Sequence, residues 1–503
     1  MYIENVTVQV GQSIYCGANT FLMDYCKKKK IRWGCMLIGK KDIGIRMNTR
    51  KKLVSVLGIV LVLVALGVYG IAFSGKKGKE LSFGIVQKET IHLWYTDASL
   101  TDYLNSKAVS FYEETDIRIE TKLVSGLEYL ETINRASVQA QEDAPDVFIL
   151  TNDSLEKAYL AGLATELDNI SDLTDSTYYS QAAQNAVSYH GKYLGYPLYF
   201  ETSALLYNKT YLEQIVEAEE TLNNADELVP KSIADILNFA DQYSTPENVE
   251  YFFRWDVSDI FYNYFFIGNY ISVGGIAGDN SQEIDIYNED AIASLSVYQD
   301  LNQFFSIDTK ETNYDTIMQE FLEGKTIYTI ATSDCMQKLE EAKKNGEFVY
   351  EYGIANIPDI NAELMAKGMS VTNALVVNGY SKHKDVANRF IEYLVKEDGN
   401  ELYEKAGKLP ARIQKEYANR NIMAYVQNYA KSVPIPKMVE TSNFWVELEI
   451  CFAKVWSGED ANEELKALSE QIKTQLVGEP ITEQALTTPV VQLLPEGEAE
   501  NEE

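Results

Sequence analysis

An uncharged, apolar run of 21 residues at positions 53–73, LVSVLGIVLVLVALGVYGIAF, divides this chain into two very unequal parts. A helix of roughly 20 apolar residues is long enough to cross a bilayer. Arg50, Lys51 and Lys52 abut the run and Lys27 to Lys30 lie upstream. Positive charge is retained on the cytoplasmic side, so residues 1–52 are expected inside and everything after the run outside. The stretch MNTRKK from Met47 has the character of a signal-peptide n-region, which makes Met47 an alternative start. Ser74-Gly75-Lys76-Lys77 supplies no cysteine for lipid attachment, and Ala72-Phe73-Ser74 is only a weak cleavage site. The expectation is an uncleaved anchor at the cell membrane with the body outside, secretion after cleavage near Ser74 being the alternative.

Charge sharpens the division. Residues 1–80 carry 14 Lys and Arg against 4 Asp and Glu, whereas the whole chain has a net charge of −31. So acidic a body repels phosphate backbones, which excludes nucleic acid as a partner. Five cysteines show no CxxC pair and no disulfide framework. His92, His190 and His383 are far apart and outside any H-E-x-x-H, so neither metal nor other cofactor is expected. Gly324-Lys325-Thr326 fails as a phosphate loop because Gln319 stands where a glycine is required, and Gly274-Gly275-Ile276-Ala277-Gly278 lacks dinucleotide-loop spacing.

After a polar linker at 74–90, short β-rich runs alternate with helical periodicity, which predicts an α/β fold. Ile91-His92-Leu93-Trp94-Tyr95 reads as a strand, Leu104, Ala108, Phe111 and Tyr112 recur at helical spacing, and Ile117-Arg118-Ile119-Glu120 alternates like a second strand. Asp146-Val147-Phe148-Ile149-Leu150 reads as a third, and Asp153-Ser154-Leu155-Glu156 predicts a capping box. Ligands of such sheets bind beyond the carboxyl ends of the strands, here after Tyr95 and after Leu150. A second body begins after Tyr207, and the Pro- and Glu-rich tail at 478–503 predicts disorder.

Several segments resemble the extracellular solute-binding protein family 1 of ABC transporters, the sugar-binding receptors typified by maltose-binding protein. They are Phe111-Tyr112-Glu113-Glu114-Thr115-Asp116-Ile117; Ala144-Pro145-Asp146-Val147 with Ala161-Gly162-Leu163; and Gly191-Lys192-Tyr193-Leu194-Gly195-Tyr196-Pro197 with Leu206-Tyr207-Asn208-Lys209. Phe321-Leu322-Glu323-Gly324-Lys325-Thr326, Gly407-Lys408-Leu409-Pro410 and Asn443-Phe444-Trp445 continue the series. The resemblance implies a two-lobed, type II periplasmic-binding-protein-like fold with three hinge crossings, near Phe200, Tyr350 and Asn400. It places an N-lobe at 91–199 plus about 353–395 and a C-lobe at about 204–350 plus 400–476. It also implies a monomer that hands a carbohydrate to ABC permease subunits in the membrane and catalyses nothing.

Sugars stack their C–H faces on aromatic rings while carboxylates and amides engage their hydroxyls. By the resemblance, Trp445 is the stacking ring, Glu201 a carboxylate at the first crossing, and Asp153 and Asn152 hydroxyl-binding groups after the third strand. Asp97 follows the first strand, and Tyr199, Trp255 and Tyr262 are further aromatic candidates. Each has a plain structural alternative: core packing for the rings, capping for Asp153, a turn for Asn152. Leu150, Ser154 and Glu449 stand where the family has a tryptophan and two arginines, which departs from the maltodextrin pattern. Iron at Tyr178-Tyr179, a polyamine, a receptor that signals without transport, and a glycosidase pair of Glu201 and Asp153 are the alternatives.

Overall fold

The computed structural model describes residues 89–491 except 220, 306 and 398; the apolar run at 53–73, the basic segment before it and residues 492–503 lie outside the described residues. Among the described residues no helix is long and apolar enough to cross a membrane.

Strand β1 (Thr90–Tyr95) buries Ile91, Leu93, Trp94 and Tyr95 and lies between two parallel neighbours. It pairs along its length with β2 (Arg118–Leu123), and with β3 (Val147–Thr151) at Leu93↔Val147 and Trp94↔Phe148. Parallel neighbours need crossover helices. The first, Thr101–Thr115, sets Tyr103, Leu104, Ala108 and Phe111 against the sheet and stops at Asp116, whose φ of 59° is left-handed. The carboxyl ends of β1 and β3 therefore open on the same edge, as the sequence predicts.

A short hairpin of β4 (Ser188–Tyr189) and β5 (Lys192–Tyr193), turned at His190 and Gly191, leads into β6 (Tyr196–Asn208). Every residue of β6 except Glu201 is buried. The strand changes partners in mid-course, which makes it the first crossing. Up to Thr202 it pairs with the strand Met369–Val377, and from Ser203 onward with the strands Thr326–Thr332 and Tyr352–Ala355. The second lobe holds β7 (Tyr251–Phe253), the small pair β8 (Ser272–Val273) and β9 (Ile284–Asp285), β10 (Thr326–Thr332) and β11 (Tyr352–Ala355), with helices such as Glu289–Phe305 around them. There are two hydrophobic clusters, one around Phe148 and Leu375 that extends across to Phe321, Met336 and Tyr352, and one around Trp255 and Phe452 within the second lobe.

The two later crossings fall further along the chain than expected. Rather than leaving the second lobe near Tyr350, the chain pairs β11 with Leu205–Asn208 of β6 and Asp359 with the 231–233 segment. It enters the first lobe only at β12 (Met369–Val377), where Ser370 meets Thr202. Nor does it cross near Asn400: the helix Gly399–Ala406 is tied to the helix Thr101–Thr115 through Lys107 and Glu401, and β13 (Leu409–Pro410) pairs with Tyr199 and Phe200. Leu402, Ala406, Leu409 and Tyr429 are buried in the same cluster as Phe148 and Leu375. The third crossing lies between β13 and the helix Phe444–Trp456: the helix Ile422–Lys431 donates through Tyr425 to the carbonyls of Ala331 and Thr332, β14 (Val433–Pro434) pairs with the start of β12, and the helices Phe444–Trp456 and Ala461–Val477 pack in the second cluster.

The part of the tail at 479–491, expected to be disordered, is fastened along the last helix. Lys473 and Ser469 both reach Glu483 at 2.6 Å, and Asn462 donates to the carbonyl of Leu486 at 2.9 Å.

Candidate functional site

Three of the residues picked from sequence meet at one that was not. Asp97 ends the loop after β1, where it caps a short turn by accepting from the backbone N–H and the hydroxyl of Ser99 at 2.9 and 2.7 Å. Its other oxygen faces the ammonium of Lys408 at 2.8 Å, and Glu201 faces the same ammonium at 3.2 Å. The ring of Tyr199 lies 5.3 Å below it. Lys408 immediately precedes β13, and the pairing of Leu409 with Phe200 brings it beside Glu201. Burial alone would lower the pKa of Lys408, but Glu201 and Asp97 outweigh it and hold the ammonium above the usual lysine range. Burial would raise the Asp97 carboxyl, and Lys408 with Ser99 reverses this and holds it below its ordinary value. The result is a charged, hydrogen-bonded wall beyond the carboxyl end of β1 and along the first crossing.

The other candidates divide. Asp153 is exposed and accepts from Thr151 and Ser154 hydroxyls at 2.5 and 3.3 Å. It caps no helix, because a short turn at Asn152–Ser154 precedes the helix Leu155–Leu160. Glu156, the expected partner in that capping box, is buried instead and accepts from Tyr189 at 2.7 Å. Asn152 is fully buried: it donates to the Ile435 carbonyl at 3.0 Å and accepts from the Thr372 N–H at 2.9 Å, so it fastens the third crossing rather than facing a ligand.

Trp255 is likewise core, stacked on Phe253 at 4.6 Å with its indole N–H on Asn263 at 2.8 Å. Tyr262 is buried in a stack with Tyr314 at 4.8 Å, and burial holds its hydroxyl far above the usual tyrosine pKa. Trp445 is half-buried at the start of the helix Phe444–Trp456, edge-on to Tyr264 at 5.4 Å. One turn on, burial and then the nearby Asp259 raise the Glu449 carboxyl above its ordinary pKa. Tyr179 is buried and Tyr178 lies against the Arg412 guanidinium at 4.1 Å, so the two do not present a phenolate pair. Among the described residues no cluster of three or more His, Cys, Asp or Glu is placed to hold a metal ion.

The third crossing carries a second lysine absent from the sequence reading. Lys437 is 1% exposed and donates to the carbonyl of Asn185, in the first lobe, at 2.9 Å and to that of Ala277, in the second. Its backbone N–H reaches Gly278 at 2.7 Å. A Cβ on Gly278 would sit 2.8 Å from the Pro436 Cα, and its φ of +67° also favours glycine, which gives the Gly274–Gly278 loop a packing role. Beside it the His190 N–H donates to Asp279 at 2.6 Å. Burial pushes the Lys437 pKa down to about 8, with Asp279 and Glu156 partly opposing the fall.

Two lobes joined by three crossings and carrying a polar wall beyond the strand ends define a two-lobed solute receptor. The sequence pattern of the bacterial extracellular solute-binding proteins matches residues 107–425, and the chain belongs to that family. It is 24% identical over 394 residues to the maltodextrin-binding protein MdxE of Bacillus subtilis (strain 168), covering 75% of this chain and 88% of that one. Its fold is similar to that of a Staphylococcus aureus extracellular solute-binding protein in complex with maltose, at a TM-score of 0.64 and 18% identity over 78% of this chain and 98% of that one. The periplasmic maltose-binding protein MalE of Listeria monocytogenes, also in complex with maltose, gives 0.63 and 21% identity over 78% and 100%.

Proposed function

We propose that this protein is the extracellular receptor of an ABC importer, capturing a carbohydrate between its lobes and delivering it to membrane permease subunits. The observation that carries the reading is the wall formed by Asp97, Lys408 and Glu201, which presents fixed carboxylates beyond the strand ends over the buried ring of Tyr199. Carboxylates held this way accept hydrogen bonds from hydroxyls without needing to reorganise. Trp445 on the other lobe supplies the stacking face, and Asp153, exposed after β3, extends the polar side. Relatives named for maltodextrin and maltotriose binding support a sugar as the ligand class. Leu150, Ser154 and Glu449 leave the particular oligosaccharide open to assay. Binding without catalysis fits the geometry, since Lys408 engages Glu201 and the Thr151–Ser154 turn engages Asp153. Anchoring by residues 53–73 completes the reading.

The test is calorimetric titration of the full chain with glucose, maltose and longer maltooligosaccharides, with spermidine and ferric ion as controls. A sugar bound without turnover supports the proposal; silence across the sugars with a response to a control overturns the ligand class. In Trp445→Ala the affinity for the bound sugar is expected to fall at least tenfold, about 1.4 kcal/mol, with little change in the unliganded melting temperature. Unaltered affinity removes Trp445 from the site.

A further inference from the structure

Lys408 does more than fill space between two acids. Its side chain is 19% exposed, against 25% for Asp97 and 40% for Glu201, so the carboxylates reach further toward solvent than the ammonium that joins them. The lysine occupies the place that a cationic ligand would take: within 2.8 and 3.2 Å of the two carboxylates and over the face of Tyr199. Without it, two carboxylates and an aromatic face would form an ordinary recognition site for an organic ammonium. With it, the place between the carboxylates is filled and all but one negative charge is cancelled, so a second ammonium can reach them only by approaching the Lys408 ammonium at short range.

We propose that Lys408 is the specificity-determining residue of this site, an internal cation that positions Asp97 and Glu201 for neutral polyhydroxylated ligands and excludes polyamines and amino sugars. The inference rests on the carbohydrate reading for its positive half, the gain for neutral ligands, and on the occupied cation position for its negative half, the exclusion of cations. Lys408 acts through its neighbours and is a positioning residue.

The experiment compares full-length wild type, Lys408→Met, Lys408→Arg and the double variant Lys408→Met/Glu201→Gln by titration with the best sugar and with spermidine. The expected result is at least a tenfold loss of sugar affinity in Lys408→Met together with the appearance of spermidine binding. Lys408→Arg should restore the sugar and reject the polyamine, and the double variant, returned to one negative charge, should lose most of the gained spermidine affinity. A merely structural lysine would lower the melting temperature of Lys408→Met without changing which ligand binds, and that outcome overturns the proposal. So does a folded Lys408→Met that keeps wild-type sugar affinity or takes up no spermidine. If Lys408→Met does not fold, Lys408→Gln keeps hydrogen-bond donors without the charge and is judged by the same two titrations. If the wild type binds no sugar, the carbohydrate reading fails by itself, while gain or absence of spermidine binding still decides whether Lys408 excludes cations.

Discussion

Lys408 and Lys437 both leave bulk water where the lobes meet, but the first faces two carboxylates at 2.8 and 3.2 Å while the second faces backbone carbonyls of Asn185 and Ala277. A carbonyl carries only a partial charge, so it compensates the lost hydration of an ammonium far less well than a carboxylate does. The two pKa values accordingly move in opposite directions, Lys408 up and Lys437 down to about 8. The lysine of the proposed binding wall is therefore a fixed charge at any physiological pH. The lysine at the third crossing carries its charge at neutral pH against its surroundings, and it joins one group from each lobe.

The largest expected effect separates the two by pH. A lysine whose folded pKa lies near 8 and whose unfolded pKa lies near 10.5 binds fewer protons folded than unfolded between those values, so stability rises with pH across that window. The penalty is fully present below pH 8 and relieved by pH 10.5, amounting to about 3 kcal/mol at most. Lys408 acts with the opposite sign: its contribution is complete below about 10.5 and is lost only as pH rises further, toward its raised folded value. Urea unfolding of wild type and Lys437→Met at pH 7 and pH 10 should show the wild type gaining on the variant by up to that amount. A constant difference would mean that Lys437 is not depressed in the folded protein.

Next in size is the stability of Lys408→Met at pH 7. Removing one partner leaves two like charges near each other and half out of water, which costs about 3–5 kcal/mol in a fully buried setting. Here Asp97 and Glu201 keep 25% and 40% exposure, so the expected loss is about 1–3 kcal/mol. The same loss should shrink as the carboxylates are protonated, because Asp97, held low by Lys408, gives its share of stability only above its unfolded pKa and surrenders it as pH falls. Denaturation at pH 7 and pH 4 measures both. A variant as stable as wild type at pH 7 would make the cluster one more ion pair that contributes nothing.

This contrast also explains what the sequence could reveal. Strand β1, the helix after it and β3 follow from short-range periodicity, and the loop that carries Asp97 follows from their ends. Glu201 and Tyr199 were found through a resemblance covering the first crossing. Lys408 lay inside another resembling segment, yet its role depends on β13 pairing with a strand some two hundred residues earlier. The burial of Asn152 is equally non-local, since the carbonyl it holds is 283 residues away. Where the chain recrosses after β11 depends on the long-range burial of residues such as Leu402, Leu409 and Tyr429, which no local pattern specifies. Trp445 has the stronger claim by resemblance and Trp255 only its region, and burial, partial in the first and complete in the second, points the same way.

The smallest effect tests whether Lys408 treats its two carboxylates alike. Glu201 is the more distant and more exposed partner, and Asp97 alone keeps Lys408 within a 2.8 Å ion pair. Glu201→Gln retains an oxygen that can accept from the ammonium and removes one negative charge, so its stability should change by less than about 1 kcal/mol, the usual range for a pair open to solvent. The informative quantity is the coupling with Lys408→Met. With the lysine gone, Glu201 is only a like charge beside Asp97, and neutralising it should then help rather than harm. The double variant is expected to be more stable than the sum of the single changes predicts, by about 0.5 kcal/mol or more. Strict additivity in urea unfolding at low salt would leave Asp97 as the only carboxylate that Lys408 holds, and Glu201 would then owe its position to β6 alone.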